Sequence, residues 1–221
     1  LTRDHGRVGV VARGVRSRRS RLAGLLQPLQ PLALSWRSRG ELGALRAAEP
    51  AGRPFLLRGR RLVSGLYANE LLIRLLGRED PHPGLFERYL AMLEGLAEGV
   101  AEAVALRAFE RDLLALLGYG LPLARDTRDA PLVHDQWYRY DPAHGATPVA
   151  GPGAGGLVVS GGTLLALASE PLTEAAARAS RDIMRAALQP HLGNRPLKTR
   201  ELYSRYTARG EQDHGPSSGQ P

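Results

Sequence analysis

The chain contains no cysteine, which removes disulfides, thiol nucleophiles, iron–sulfur clusters and thiolate zinc sites together. That absence fits a reducing cytoplasm. No run of eighteen apolar residues occurs, so no membrane-crossing helix is expected. A secretory leader pattern is absent as well. Lysine is almost missing: Lys198 is the only one among 30 basic residues. We ascribe that bias to genomic base composition rather than to a demand for bidentate contacts. No Gly-Lys-Ser/Thr string exists, so a phosphate-binding P-loop is excluded. There is no Gly-x-Ser-x-Gly elbow either. No carboxylate pair stands out on an apolar face, and these gaps disfavour an enzyme.

What is present is positive charge, unevenly placed. Residues 1–61 hold 14 Arg against Asp4, Glu41 and Glu49, a balance of 14 − 3 = +11. Residues 62–221 hold the remaining 16 basic residues and 19 acids, which gives −3. The excess is therefore regional. A patch of that kind is the electrostatic footprint of a polyanion partner.

The apolar pattern organises the rest. Residues 8–13 read as a strand, and Arg16, Arg18, Arg19 and Arg21 follow as a loop or hairpin tip. Leu29 to Trp36 and Glu41 to Ala48 read as two further short strands, suggesting part of a small barrel. Beyond Pro54 the period becomes helical. Leu62–Leu76, Phe86–Ala97 and Leu106–Leu117 carry three apolar stripes of a bundle. Residues 119–162 read as an irregular insert. Thr173 caps a helix expected to run to about Leu188, broken by Pro190 and Gly193. A last helix is expected over Leu197–Tyr206. The tail, residues 208–221, has the composition of a disordered segment.

Several residues are candidates for chemistry. Trp36, beside Arg37 and Arg39, either stacks on a base or packs in the core. His134, Asp135, Asp141 and His144 match no ligand spacing, and no metal is expected there. The glycine-rich Gly151–Gly156 lacks a preceding strand and a lysine, so a flexible loop is expected. Arg107 sits beside the stripe Leu106, Phe109 and Leu113. On the residues alone it reads as a solvated helical arginine.

Four strings are similar to one family. GRVGVVARGVRSRRSRLAGLLQPLQPL, SGLYANELLIRLL, ALRAFERDLLALLGYGL and LLALA…IMRAALQPHLGNRPLKTREL resemble, in order, the bacterial RecO recombination-mediator family. The likeness is collinear from Leu1 to about Tyr206. It implies an α+β architecture: an OB-fold β-barrel over 1–54, an α-helical domain over 55–118 plus 163–207, and a zinc-finger-like insert over 119–162. Without cysteine that insert resembles a metal-free branch, with no cofactor. Family members begin with further residues that form the first barrel strands, and Leu1–Asp4 resembles the end of the second, so the barrel is expected to be incomplete.

The resemblance also implies a role without nucleotide hydrolysis. Such proteins bind single- and double-stranded DNA, anneal complementary strands, and work at the nucleoid with RecR and the single-strand binding protein (SSB). They help to load RecA indirectly. The DNA-facing positions it carries over are Arg13, Arg16, Arg18, Arg19 and Arg21. Arg37 and Arg39 join them from local charge. Arg107 matches the position that meets the C-terminal tail of SSB. On composition alone, an RNA- or ribosome-associated OB-fold module fits equally well. A hydrolase built on His134–His144 has only proximity in its favour.

Overall fold

The computed structural model describes residues 1–15, 21–37 and 42–203. Its first quarter is a small sheet. β1 (Val10–Val11) lies parallel to β3 (Gly43–Pro50), and β2 (Leu32–Arg37) lies antiparallel to the other edge of β3, giving the order β1-β3-β2. A five-residue helix, α1 (Arg21–Leu25), precedes β2. β2 alternates as a half-buried strand should: Leu32, Leu34 and Trp36 face inward, while Ala33, Ser35 and Arg37 are exposed. The expected OB barrel is not closed among the described residues. Only Val10 and Val11 of the expected strand 8–13 form a strand, and a turn begins at Arg13. The inner face of β2 therefore opens onto an apolar groove lined by Leu72, Phe86 and Leu93.

Three helices follow, as the apolar stripes require: α2 (Gly59–Leu75), α3 (Leu85–Glu98) and α4 (Glu102–Leu116). Gly99 ends α3 in a left-handed conformation with φ 101°, which a side chain would resist. Leu71, Leu93, Leu96, Phe109 and Leu113 are essentially inaccessible and form the centre of the bundle.

Residues 119–162 are more regular than their composition suggested. β4 (Trp137–Asp141) is flanked by β5 (Gly145–Val149) and β6 (Val158–Ser160) in an antiparallel sheet of order β5-β4-β6. Tyr138 and Tyr140 point inward and belong to the same hydrophobic cluster as the helices. The insert is thus welded to the bundle. Its strands were obscured because Pro, Gly and Asp fill the turns between them.

Ser160 then caps α5 (Gly161–Ala168), accepting a bond from Thr163 N. Thr173 caps α6 (Glu174–Ala179) as expected. The single helix expected from there splits at Ser180, which ends α6 and opens α7 (Arg181–Leu192). Its buried hydroxyl bonds back to Ala177 O, a side-chain competitor for the helical ladder. Pro190 is accommodated in the last turn of α7, and Gly193, at φ 66°, stops it. A final helical segment spans 198–203. The expected tail, 208–221, lies outside the described residues.

The N-terminal segment is fixed to the bundle at Gly6 and Arg7. Arg7 donates from Nε and Nη2 to Leu76 O at 3.1 and 2.8 Å, capping the C-terminus of α2. Gly6 has φ 63°, and a Cβ there would fall 2.2 Å from Asp80 O. Gly6→Ala is therefore expected to destabilise the chain by about 1–3 kcal/mol, through overpacking against backbone that cannot yield. Urea unfolding measures it; a wild-type midpoint would mean that this docking contributes nothing.

Candidate nucleic-acid interface

The regional charge excess has two fates in the fold. Among the described residues, four arginines of the first 61 residues work inside the molecule. Arg3 pairs with Glu87 at 2.7 Å and lies over the Phe86 ring. Arg7 caps α2. Arg60 stands 3.8 Å from Glu102 and over Tyr203. Arg61 donates to Leu96 O at 2.6 Å and Gly99 O at 3.3 Å, capping α3. Arg74 and Arg111, further along, hold the C-terminal ends of α7 and α5 in the same way. A charge count cannot separate these structural arginines from those left for a partner.

Arg13 and Arg37 are of the second kind. Both are exposed, and among the described residues neither has an ion pair. The register brings them to one end of the sheet. Arg37 pairs across with Ala44, and Ala44 pairs with Val11, so the three form one row. Arg13 follows in the turn beyond Val11. Arg21 opens α1. Arg16, Arg18, Arg19 and Arg39 lie outside the described residues.

One arginine escaped the sequence reading. Ser35 pairs with Ala47 and Trp36 with Leu45, which leaves Arg46 as the extra residue of a β-bulge. Arg46 and Ala47 are both exposed in consequence. No pattern of residue types marks a bulge, so the only signal was Arg46 itself, in a strand whose one other charged residue is Glu49.

Trp36 resolves toward packing. A Cβ on Gly43 would lie 2.8 Å from Trp36 Cδ1, so the indole rests on the Gly43 backbone. His5 meets it edge-on, with ring centroids 5.3 Å apart.

Arg107 is not solvated. Its side chain is 13% exposed, and Nη2 donates to Glu110 Oε1 at 2.6 Å. The Tyr67 hydroxyl donates to the same oxygen at 2.7 Å. Glu110 is wholly buried. Burial pushes its carboxyl above the usual range, against the pull of Arg107 and Tyr67. Arg107 Nε and Glu110 Oε2 have no hydrogen-bond partner. The arginine beside the apolar stripe is thus the counter-ion of a buried acid on its own helix.

The histidines do not converge. His134 bonds Asp135 at 2.7 Å before β4, and His144 bonds Asp141 at 3.0 Å after it, both largely exposed. Among the described residues no group of three such side chains could hold a metal. The Gly151–Gly156 loop is held by Arg139, which donates to Gly155 O and Ala154 O at 3.2 and 2.8 Å.

Comparison with known proteins decides the family. The family model described as "Recombination protein O N terminal" matches residues 1–53, and "Recombination protein O C terminal" matches residues 56–201. The chain belongs to the RecO family. It is 48% identical over 221 residues to the DNA repair protein RecO of Alkalilimnicola ehrlichii, covering 99% of this chain and 87% of that one. The RecO of Halorhodospira halophila is 46% identical over 207 residues, 92% of this chain and 87% of its own. That of Burkholderia pseudomallei is 41% identical over 204 residues, 91% and 74% respectively. RecO membership places the chain in DNA repair and recombination. The boundary between the two family models falls between the small sheet and α2. No helix among the described residues is long and apolar enough to cross a membrane.

Proposed function

We propose that this RecO chain is a non-enzymatic recombination mediator acting at the nucleoid. It binds single- and double-stranded DNA on the arginine-bearing end of the β1-β3-β2 sheet. The observation that carries the reading is a pair of exposed arginines, Arg13 and Arg37, without carboxylate partners among the described residues, at one end of a sheet otherwise rich in small residues. Arg16, Arg18, Arg19, Arg21 and Arg39, close by in the sequence, contribute charge to the same binding. Neutralised phosphates release their counterions, which drives binding without reading sequence. Two strands neutralised on one surface no longer repel each other, and complementary bases then anneal. No nucleotide needs to be hydrolysed for that step.

In this reading RecR and SSB are the protein partners, and the product is DNA open to RecA. Arg107 meets the acidic, apolar C-terminal tail of SSB, where a guanidinium pairs a terminal carboxylate and apolar neighbours take its aromatic side chain.

The test is a salt titration of oligo(dT) binding to the full chain. Arg13→Ala/Arg37→Ala should lower the log–log salt slope by about 1.4, at roughly 0.7 per phosphate on a single strand. An unchanged slope would remove the sheet from the interface. Stronger binding of structured RNA than of DNA in competition would turn the reading toward an RNA-binding module.

A further inference from the structure

We infer that Arg46 is a phosphate-contacting residue, and that a DNA strand crosses the sheet over the β3 bulge, from Arg37 across to Arg13. The inference rests on the DNA-binding reading above and adds to it a residue and a direction.

The bulge is what makes Arg46 available. In a regular β3 the residues would alternate strictly, and Ala44, Arg46 and Ala48 would share one face. The extra residue resets the alternation instead. Arg46 and Ala47 are both exposed, while Ala48 turns inward opposite Leu34. Arg46 stays in phase with Ala44, whose partners in the row are Arg37 and Val11. β1 runs parallel to β3, so the chain past Val11 advances in the same sense as β3 from Ala44 to Arg46. Arg13 is carried toward the level of Arg46 by that advance. The three arginines then come from three adjacent strands or their ends, spread over about two interstrand spacings, roughly 10 Å.

The surface between them is low. Ser35, Ala44 and Ala47 flank the bulge, and none is large enough to hold a backbone away from the guanidinium groups. Charge gives the direction. Glu49, exposed opposite Ala33, occupies the far end of β3, so a strand laid along β3 would run into a carboxylate. A strand laid across the sheet at the bulge meets arginine on β2, on β3 and in the turn after β1, and passes Glu49 at about 10 Å, close to one Debye length at physiological salt. Among the described residues Arg46 has no ion pair that would compete.

The experiment compares five versions of the chain binding oligo(dT) across a salt series: wild type, Arg46→Ala, Arg46→Lys, Glu49→Gln and Arg13→Ala/Arg37→Ala. Arg46→Ala should lower the slope by about 0.7, and Arg46→Lys should restore it, since one positive charge is what the phosphate needs. Glu49→Gln should leave affinity at physiological salt within about twofold of wild type. The thermal melt of each should match wild type, as both positions are exposed. If Arg46→Ala keeps the wild-type slope while Arg13→Ala/Arg37→Ala loses its share, Arg46 is not at the interface. If Glu49→Gln tightens binding severalfold, the strand runs along β3 and the crossing is wrong. If wild type itself binds without salt dependence, the DNA-binding reading fails, and the inference falls with it.

Discussion

Arg107→Ala is expected to lose about 3–5 kcal/mol of folding stability, because it strips the counter-ion from a carboxylate with no access to water. Glu110 is fully buried, and its Oε1 takes hydrogen bonds from Arg107 Nη2 and the Tyr67 hydroxyl. Without Arg107 only the phenol remains. The deficit should depend on pH, and its sign follows from the direction of the shift. Burial raises the Glu110 carboxyl above the ordinary glutamate value in the folded state. The folded chain therefore binds more protons than the unfolded one in that window, and stability falls as pH rises through it. Removing Arg107 raises the carboxyl further and widens the window. Urea unfolding at pH 5 and pH 8 should show a larger deficit at pH 8. Glu110→Gln in the same chain should recover most of the loss. A small deficit that ignores pH would mean that Glu110 is already protonated beside Arg107 in the wild type.

The same pair governs how the SSB reading must be tested. Arg107→Ala alone confuses unfolding with loss of a ligand. Glu110→Gln and Arg107→Ala/Glu110→Gln form the clean comparison, since neither leaves the buried carboxylate without its counter-ion. A tail peptide ending in a carboxylate should bind the first and be weakened about 10–100-fold on the second, the range of a charge-assisted bond. Oligo(dT) should bind both equally.

These two sites differ in how far residue types foretold them. The helical stripes did, because Leu71, Leu93, Phe109 and Leu113 repeat at the helical period and each is buried where the period puts it. Thr173 foretold its cap for the same local reason. The β4–β6 sheet was hidden, since its strands are short and its inward residues are two tyrosines flanked by Arg139 and Asp141. Charge was legible as a sum and illegible as a distribution. Arg7 and Arg61 look like Arg13 and Arg37 in sequence, yet each sits on a carbonyl at the end of a helix that begins or ends elsewhere in the chain. Arg46 depends on one extra residue in a ladder, and Arg107 on an acid one turn away whose burial only the packed bundle creates.

Glu70→Ala should detach the C-terminal helical segment, 198–203, at a cost of about 2–3 kcal/mol. Glu70 lies on α2, yet its carboxylate does for that segment what a capping residue normally does from within. Oε1 accepts from Lys198 N at 2.9 Å, and Oε2 accepts from Thr199 N at 2.9 Å and Thr199 Oγ1 at 2.8 Å. Arg74, one turn on, pairs with Glu70 at 3.2 Å and donates to Leu192 O, Arg195 O and Pro196 O. One residue thus holds the first amide groups of the last segment, and the other holds the carbonyls that end α7 before it. Burial would raise the Glu70 carboxyl, but the Thr199 and Lys198 backbone donors, the Thr199 hydroxyl and Arg74 outweigh it and hold it below the usual range. An acid whose folded value is depressed gives its stability in full above the unfolded value, near 4.5, and loses it as pH falls through the folded value. Wild type should therefore release the segment on acidification below about that pH, whereas Glu70→Ala should have it loose already at neutral pH. Amide hydrogen exchange at Thr199 and Arg200 reads this directly. Equal protection in wild type and Glu70→Ala at pH 7 would show that Leu197, buried beneath the segment, holds it without the carboxylate.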